Sequence, residues 1–343
     1  MTLFLHQAKT TFRRSHALRL SGLVIGLCLL LICLVLSITL GAADLSLPTI
    51  WQALVAFDGS TDHLIITTVR LPRSLIAMTV GGALAVAGAI TQGLTRNPLA
   101  APDIIGINTG AALAVVAVTF WWGSASTNTY VWAAFLGGTI AAVVVYWLGS
   151  VGRGGLTPLK LILAGAALSY LLSSITTGIL ILSQRTLDEI RFWLAGSVAG
   201  RDIDTLLMVL PYILLGLAIA LGLSRQITAL TLGEEVAKGL GIRTVWVEAL
   251  ATVVVILLAG SSVALAGPIG FIGLIIPHVS RFFVGVDYRW LLPYAAIGGA
   301  ILLLLADVGA RIVVRPQELP VGIMTALIGA PFFIYLARRK VKG

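Results

Sequence analysis

Long apolar runs separated by short polar breaks repeat along almost the whole chain. They fall at about 20–40, 74–95, 104–122, 131–149, 159–182, 205–223, 246–266, 269–284, 292–308 and 321–337. A helix needs about 17–25 apolar residues to cross a hydrocarbon core ~30 Å thick, and nearly every run meets that length. The eighth, 269–284, is short and interrupted by Pro and Gly, which predicts a kinked or partial span. Strand-like alternation is missing, which argues against a barrel. The pattern predicts an all-α integral membrane protein of about ten transmembrane helices.

Composition supports that reading. The 343 residues are 58% hydrophobic and 11% charged, whereas soluble domains carry about 25% charged residues. So little charge leaves too little polar surface for a water-soluble particle. The first run follows basic residues and ends in "GAAD", as a secretory signal does. A signal's apolar core is about 7–15 residues, so this longer run is expected to be a retained span. Cys28 and Cys33 both lie within it as apolar filler, and His6, His16, His63 and His278 do not cluster. HExxH, CxxC and GxSxG are absent, so no metal site, bound cofactor or catalytic constellation is expected.

Charge sets the expected orientation. Ten spans put both termini on one side, and loops on that side hold 16 of the 23 Lys and Arg residues, among them Arg96, Arg153, Lys238 and Arg281. Nine of the 14 acids fall on the other side. Cytoplasmic loops favour Lys and Arg, so both termini are expected in the cytoplasm. Residues 1–19 then read as a cytoplasmic tail before a ten-span domain over 20–339. The formal net charge of +9 follows from topology and does not call for nucleic acid.

One cytoplasmic interval stands out, "TLGEEVAKGLGIRT" at 231–244. Leu232, Val236 and Leu240 recur every four residues as an apolar stripe. Glu234, Glu235 and Lys238 fill the remaining turn, and Gly233, Gly239 and Gly241 punctuate it. The spacing predicts a short amphipathic helix with a glycine stop. Two readings are open: a helix lying on lipid headgroups, or one received by a partner.

Five stretches taken in order narrow that choice: "RLPRSLIAMTVGGALAVAGAITQGLTRNPLAAPDIIGINTGAAL" at 70–113, "LAGAALS" at 163–169, "FWLAGSVAGRD" at 192–202, "GPIGFIGLIIPHVSRFFVGVDYRWLLP" at 267–293 and "ADVGARIVVRPQELPVGIMTALIGAPFFIYLARR" at 306–339. With "LGEEVAKGLGI" between them, the chain resembles the membrane permease of the iron–siderophore, haem and vitamin B12 family of ABC importers, the type II importers, over about 65–339. The resemblance implies an iron chelate as cargo, a ferric siderophore before haem or vitamin B12. It also implies a second permease, of the same or a sister chain, and a periplasmic or lipid-anchored substrate-binding protein. Two ATP-binding subunits complete the set. No GxxxxGK[ST] occurs, so ATP and Mg belong to those subunits. The location implied is the inner (cytoplasmic) membrane, in contact with its lipid.

The resemblance also assigns residues. Leu232, Gly233, Glu234, Glu235, Val236, Lys238, Leu240 and Gly241 match the coupling element seated in the ATPase. Arginines at the positions of Arg70, Arg73 and Arg311 receive acids from the two lobes of the binding protein, as a planar guanidinium suits. Pro72 is expected to present both Arg70 and Arg73 near the interface. The alternative is internal pairing, with Asp307 one turn from Arg311 and Glu318 on the same side. "RNPLAAPDIIG" at 96–106 matches a cytoplasmic gate, with Asn97 and Leu99 narrowing the exit. "LTPLK" matches a second gate position but carries Pro158 where the vitamin B12 permease has a small hydroxyl residue. The small-residue runs "GGALAVAGA", "GAAL", "GGTIAA" and "GGA" are expected to let helices pack closely. An ion-coupled secondary transporter is the rival class, and it would keep acids in mid-span. Here Glu248 and Asp307 sit near predicted ends.

Overall fold

A computed structural model describes residues 2–41, 45–123, 125–152 and 157–341. Arg153, Lys342 and the start of the second gate loop at 156 lie outside the described residues, as do the side chains of 1–15. The described chain is helical: α1 (Thr2–Thr39), α2 (Leu47–Val55), α3 (Thr61–Leu64), α4 (Leu71–Thr95), α5 (Ile107–Trp122), α6 (Thr127–Ser150), α7 (Pro158–Leu182) and α8 (Gln184–Leu194) come first. Then follow α9 (Ile203–Gly222), α10 (Ser224–Thr231), α11 (Glu234–Gly239), α12 (Thr244–Val255), α13 (Ser261–Ala266), α14 (Ile272–Val284), α15 (Tyr288–Ile312) and α16 (Val321–Val341). Single π-turns, Ile65–Arg70 and Ile256–Gly260, join α3 to α4 and α12 to α13 into continuous rods.

Seven of these helical stretches are long and apolar enough to cross a membrane, and three shorter apolar helices lie at 107–122, 272–284 and 321–336. Each of the ten apolar runs is therefore helical. The eighth is a short helix, as its Pro and Gly content predicts: it begins only at Ile272, after Phe271 takes a left-handed conformation at φ 69°. Residues 2–19, expected as a tail, continue the helix of α1. An even number of crossings brings both ends to one face, the terminal face. Polar caps start several helices. Ser126, Thr157, Ser183 and Asp202 each accept a hydrogen bond from the amide three residues on, at the starts of α6, α7, α8 and α9, which satisfies a donor the helix leaves unpaired.

In lipid, apolar side chains gain little by leaving one hydrocarbon for another, so helices associate through close van der Waals contact. The glycine-rich α4 meets that demand. It packs against α9, α10, α12, α13, α14 and α15 and is buried along most of its length. A Cβ at Gly81 would collide with the carbonyl of Gly299 on α15, and one at Gly88 with the backbone of Gly273 on α14. Gly110 of α5 and Gly137 of α6 make the same kind of backbone approach. The small residues of these runs are thus used for packing.

This geometry yields a graded expectation. Gly88→Ala and Gly81→Ala insert a methyl group where backbone already sits, and overpacking of this kind costs about 1–3 kcal/mol. Gly222→Ala, whose Cβ would meet nothing within 4 Å, should leave stability unchanged or slightly improved. Thermal unfolding of the purified variants measures both, and equal midpoints for Gly88→Ala and Gly222→Ala would contradict the packing described.

Candidate functional site

The face opposite the termini gathers the three arginines singled out above, and here the expectation of exposed guanidiniums is corrected. Arg70, Arg73 and Arg311 are only 6%, 7% and 3% exposed. Arg70, at the end of the π-turn, donates to the carbonyls of Ile38 and Thr39 at 2.8 Å each. Arg73, in the first turn of α4, grips Asp307 with Nε at 3.0 Å and Nη2 at 2.8 Å, and donates Nη1 to Glu318 at 2.6 Å. Arg311 Nη2 pairs with the second oxygen of Asp307 at 3.0 Å. It also reaches Ser37 Oγ at 2.8 Å, while Nη1 bonds the carbonyls of Ser37 and Leu40 at 2.9 Å. The internal alternative therefore describes Arg73 and Arg311. Its cause is energetic: a guanidinium this deep costs several kcal/mol unless paired, and a carboxylate one turn away and the end of α1 lie within reach. The sequence carried half of this signal in the i, i+4 spacing of Asp307 and Arg311.

On the terminal face the amphipathic stretch forms two short helices. Leu232 ends α10, and Gly233, at φ 119°, breaks the chain before α11 begins at Glu234. Leu232, Val236 and Leu240 are nonetheless all exposed, while Ala237 is buried and anchors α11 to the body. Lys238 bonds Glu234 at 2.8 Å. That hydrogen bond, opposed in part by burial and aided by the charges of Lys238 and Arg96, holds the Glu234 carboxyl below its usual range. Glu235 is exposed. Gly241, at φ 77°, turns the chain out of the motif toward α12, a conformation that favours glycine.

Between α4 and α5 the chain makes the turn that holds Asn97 and Leu99. Arg96 ends α4 in a left-handed conformation, φ 50°. Asn97 Oδ1 accepts from Leu99 N at 3.0 Å, and the Asn97 carbonyl accepts from Ala100 N at 3.1 Å, so the side chain shapes the turn. Both residues are half-buried. Arg96 then reaches across to Glu234, with Nη2 3.7 Å from the carboxylate. The turn and α11, separate motifs in the sequence, are thereby brought together. Beneath them Arg281 of α14 donates to Gln92 of α4 at 2.6 Å, and the Tyr288 hydroxyl bonds the Ala89 carbonyl at 3.0 Å.

Two features escaped the sequence reading. Helix α8 lies between spans with Thr186, Ile190 and Trp193 buried, a signal present as an i, i+4, i+7 spacing in an otherwise polar stretch. Helix α7 is largely exposed, with only Leu161, Gly165 and Thr176 buried along it. Ala166, Tyr170, Ser173, Ser174 and Thr177 are exposed on it, and their spacing groups them as one small and hydroxylic stripe along the span.

Comparison with known proteins adds an independent observation. Residues 29–339 match the FecCD transport family. The chain is 50% identical over 306 residues to YfiZ of Bacillus subtilis (strain 168), a probable siderophore transport system permease protein, covering 89% of this chain and 92% of that one. It is 41% identical to FepD of Escherichia coli (strain K12), the ferric enterobactin transport system permease protein, covering 96% and 97%. Among solved structures it is similar to an ABC transporter assigned to the metal-chelate type, in an inward-facing conformation. The TM-score is 0.83 at 35% identity, over 93% of this chain and 99% of that one.

The arginine cluster predicts an order of stability. Asp307 is fully buried and serves two guanidiniums, whereas the Glu318 side chain is 36% exposed and serves one. Asp307→Asn should destabilise by about 3–5 kcal/mol, the range for stranding a buried partner, and Glu318→Gln by about 1 kcal/mol or less. Thermal unfolding in detergent or nanodiscs reads the difference, and a larger loss for Glu318→Gln would reverse the assignment.

Proposed function

Because the chain belongs to the FecCD transport family, we propose that it is the permease subunit of a binding-protein-dependent ABC importer that carries an iron chelate, a ferric siderophore before haem or vitamin B12, across the cytoplasmic membrane. ATP is hydrolysed by two separate subunits, and both termini of this chain lie with them in the cytoplasm. The observation that carries the reading is the contact between α11 and the turn after α4. An exposed apolar stripe, Leu232, Val236 and Leu240, is attached to a helix whose Glu234 touches Arg96, the residue that opens the turn. A stripe of this kind suits a groove on a partner.

The coupling step follows mechanically. Nucleotide-driven closure of the ATPases displaces α11. Gly233 and Gly241, with no atoms near their Cβ positions, let α11 move as a unit between α10 and α12. Arg96 carries the displacement to the turn holding Asn97 and Leu99, which forms the cytoplasmic gate. The exposed stripe on α7 supports a pathway completed by a second permease, since hydroxyl groups are better accommodated beside water than against lipid tails. Binding-protein docking belongs to the opposite face. Its acids engage Arg70, Arg73 and Arg311 only by displacing the internal partners described above.

Two measurements test this reading. Replacing Glu234 and Glu235 together with Lys sets like charges beside Arg96 and Lys238. It should abolish ATPase co-purification and chelate uptake while membrane insertion stays normal; retention of both activities would overturn the coupling assignment. For the gate, Asn97→Cys or Leu99→Cys in a two-permease assembly should crosslink across the axis, blocking uptake until a reductant is added. If the second permease is a sister chain, its matching loop carries the other cysteine. Absence of the crosslink in every nucleotide state of an intact complex would remove this turn from the gate.

A further inference from the structure

On the face opposite the termini, the connection between α8 and α9 and the segment entering α16 enclose a cavity of about 300 Å³. Phe192, Trp193, Ser197, Arg201, Glu318 and Leu319 are among its walls. The loop is rigidly mounted: Ser197 N bonds the Ala266 carbonyl at 2.7 Å, and the Gly196 carbonyl accepts from Gly322 N at 3.0 Å. Gly196, at φ 75°, lies where a Cβ would strike the Pro268 carbonyl.

Two of the lining residues carry buried donors without acceptors among the described residues. Trp193 is 8% exposed, and its indole N–H is buried without an acceptor among the described residues. The Nε of Arg201 is likewise buried without one. Burial depresses the Arg201 pKa, and the charge of Asp202 only partly offsets that effect. Asp202 instead caps α9, its Oδ1 accepting from the amide and hydroxyl of Thr205. Ser197 Oγ accepts from Ala199 N at 3.2 Å, which leaves its own proton to donate. The one acid on the wall, Glu318, is held by Arg73 at 2.6 Å. Buried donors without acceptors are destabilising and rare in native proteins. One indole and one guanidinium without acceptors, beside the Ser197 hydroxyl, make these wall residues suited to an oxyanion.

The surface next to the cavity bears on which oxyanion fits. An apolar groove of about 510 Å³ begins beside it, at Ala195 and Gly322, and runs along α16 past Ala326 to Ala330 and Pro331. The donor-lined cavity therefore lies next to an open apolar groove along α16, which Ile323 and Leu327 also line. We propose that this cavity binds a carboxylate of an anionic chelate entering from the outer face, with Arg201 pairing to it and Trp193 and Ser197 donating hydrogen bonds. Its volume is at the lower limit of small-molecule pockets, about 300–1,000 Å³, so it receives one carboxylate-bearing arm of the chelate. Arg201 is then a cargo-recognition residue that selects acidic chelates over neutral ones.

This inference rests on the importer reading, which the ATPase co-purification experiment tests separately. The full chain, assembled with its ATPase in nanodiscs, is labelled with fluorotryptophan, and the Trp193 resonance is identified among the eight tryptophans by its loss in Trp193→Phe. Ferric citrate should shift that resonance saturably, and a neutral ferric trihydroxamate should not. Arg201→Gln should weaken the ferric citrate response at least tenfold, and Arg201→Lys should recover part of it, with unfolding midpoints unchanged. The proposal is overturned if ferric citrate leaves Trp193 unmoved, if the neutral chelate moves it equally, or if Arg201→Gln responds like the parent. It is also overturned if the substrate-binding protein alone, free of chelate, produces the shift, because the oxyanion is then an acidic side chain of that partner.

Discussion

Backbone-to-backbone contact around α4 is the constraint on which this structure rests. With no water to expel between helices, association depends on how closely two chains approach, and only glycine permits the distances found at Gly81–Gly299 and Gly88–Gly273. Those two contacts fix α4 against α15 and α14 at different heights. The Arg73–Asp307–Arg311 cluster and the Arg281–Gln92 bond are built on these three helices. The spans at the periphery, α1, α7 and α16, are correspondingly exposed.

The two faces use charge differently for a common physical reason. On the opposite face the guanidiniums of Arg73 and Arg311 converge on one fully buried carboxylate, where a low dielectric makes loss of either partner expensive. That cluster ties α4 to α15 and, through Ser37, to α1. On the terminal face the Arg96–Glu234 contact is long, 3.7 Å, and both side chains are partly exposed. Surface pairs of this kind contribute little to stability. A weak contact is suited to a moving joint, and a buried network to a fixed one.

Much of the fold was legible in the sequence because burial in a bilayer imposes a length on each apolar run. Seven helical stretches follow that rule and three apolar helices are shorter; for α14, proline and glycines announce the short element. The π-turns at 65–70 and 256–260 left no comparable mark, since one extra backbone residue in a helix changes neither composition nor period visibly. The motif at 231–244 announced an amphipathic helix, and Gly233 divides it. The arginines were legible as residues, with internal pairing open beside an exposed face. Whether Arg73 faces water depends on Asp307, 234 positions away, and no local pattern encodes that distance. Trp193 and Arg201 stood inside a quoted motif, but an unsatisfied donor is visible only once every neighbour has a place.

The separation between Arg73 and Asp307 has a consequence for biosynthesis. The guanidinium emerges from the ribosome 234 residues before its carboxylate, which at about 5–20 residues per second is an interval of roughly 10–50 s. Throughout that time α4 waits in the bilayer with a cation and no counter-ion. Its place in the first turn, beside the aqueous boundary, lets the long side chain remain hydrated until α15 arrives. The same position that makes the pair a late lock therefore makes the nascent helix tolerable to insert, and the last third of translation closes what the first third leaves open.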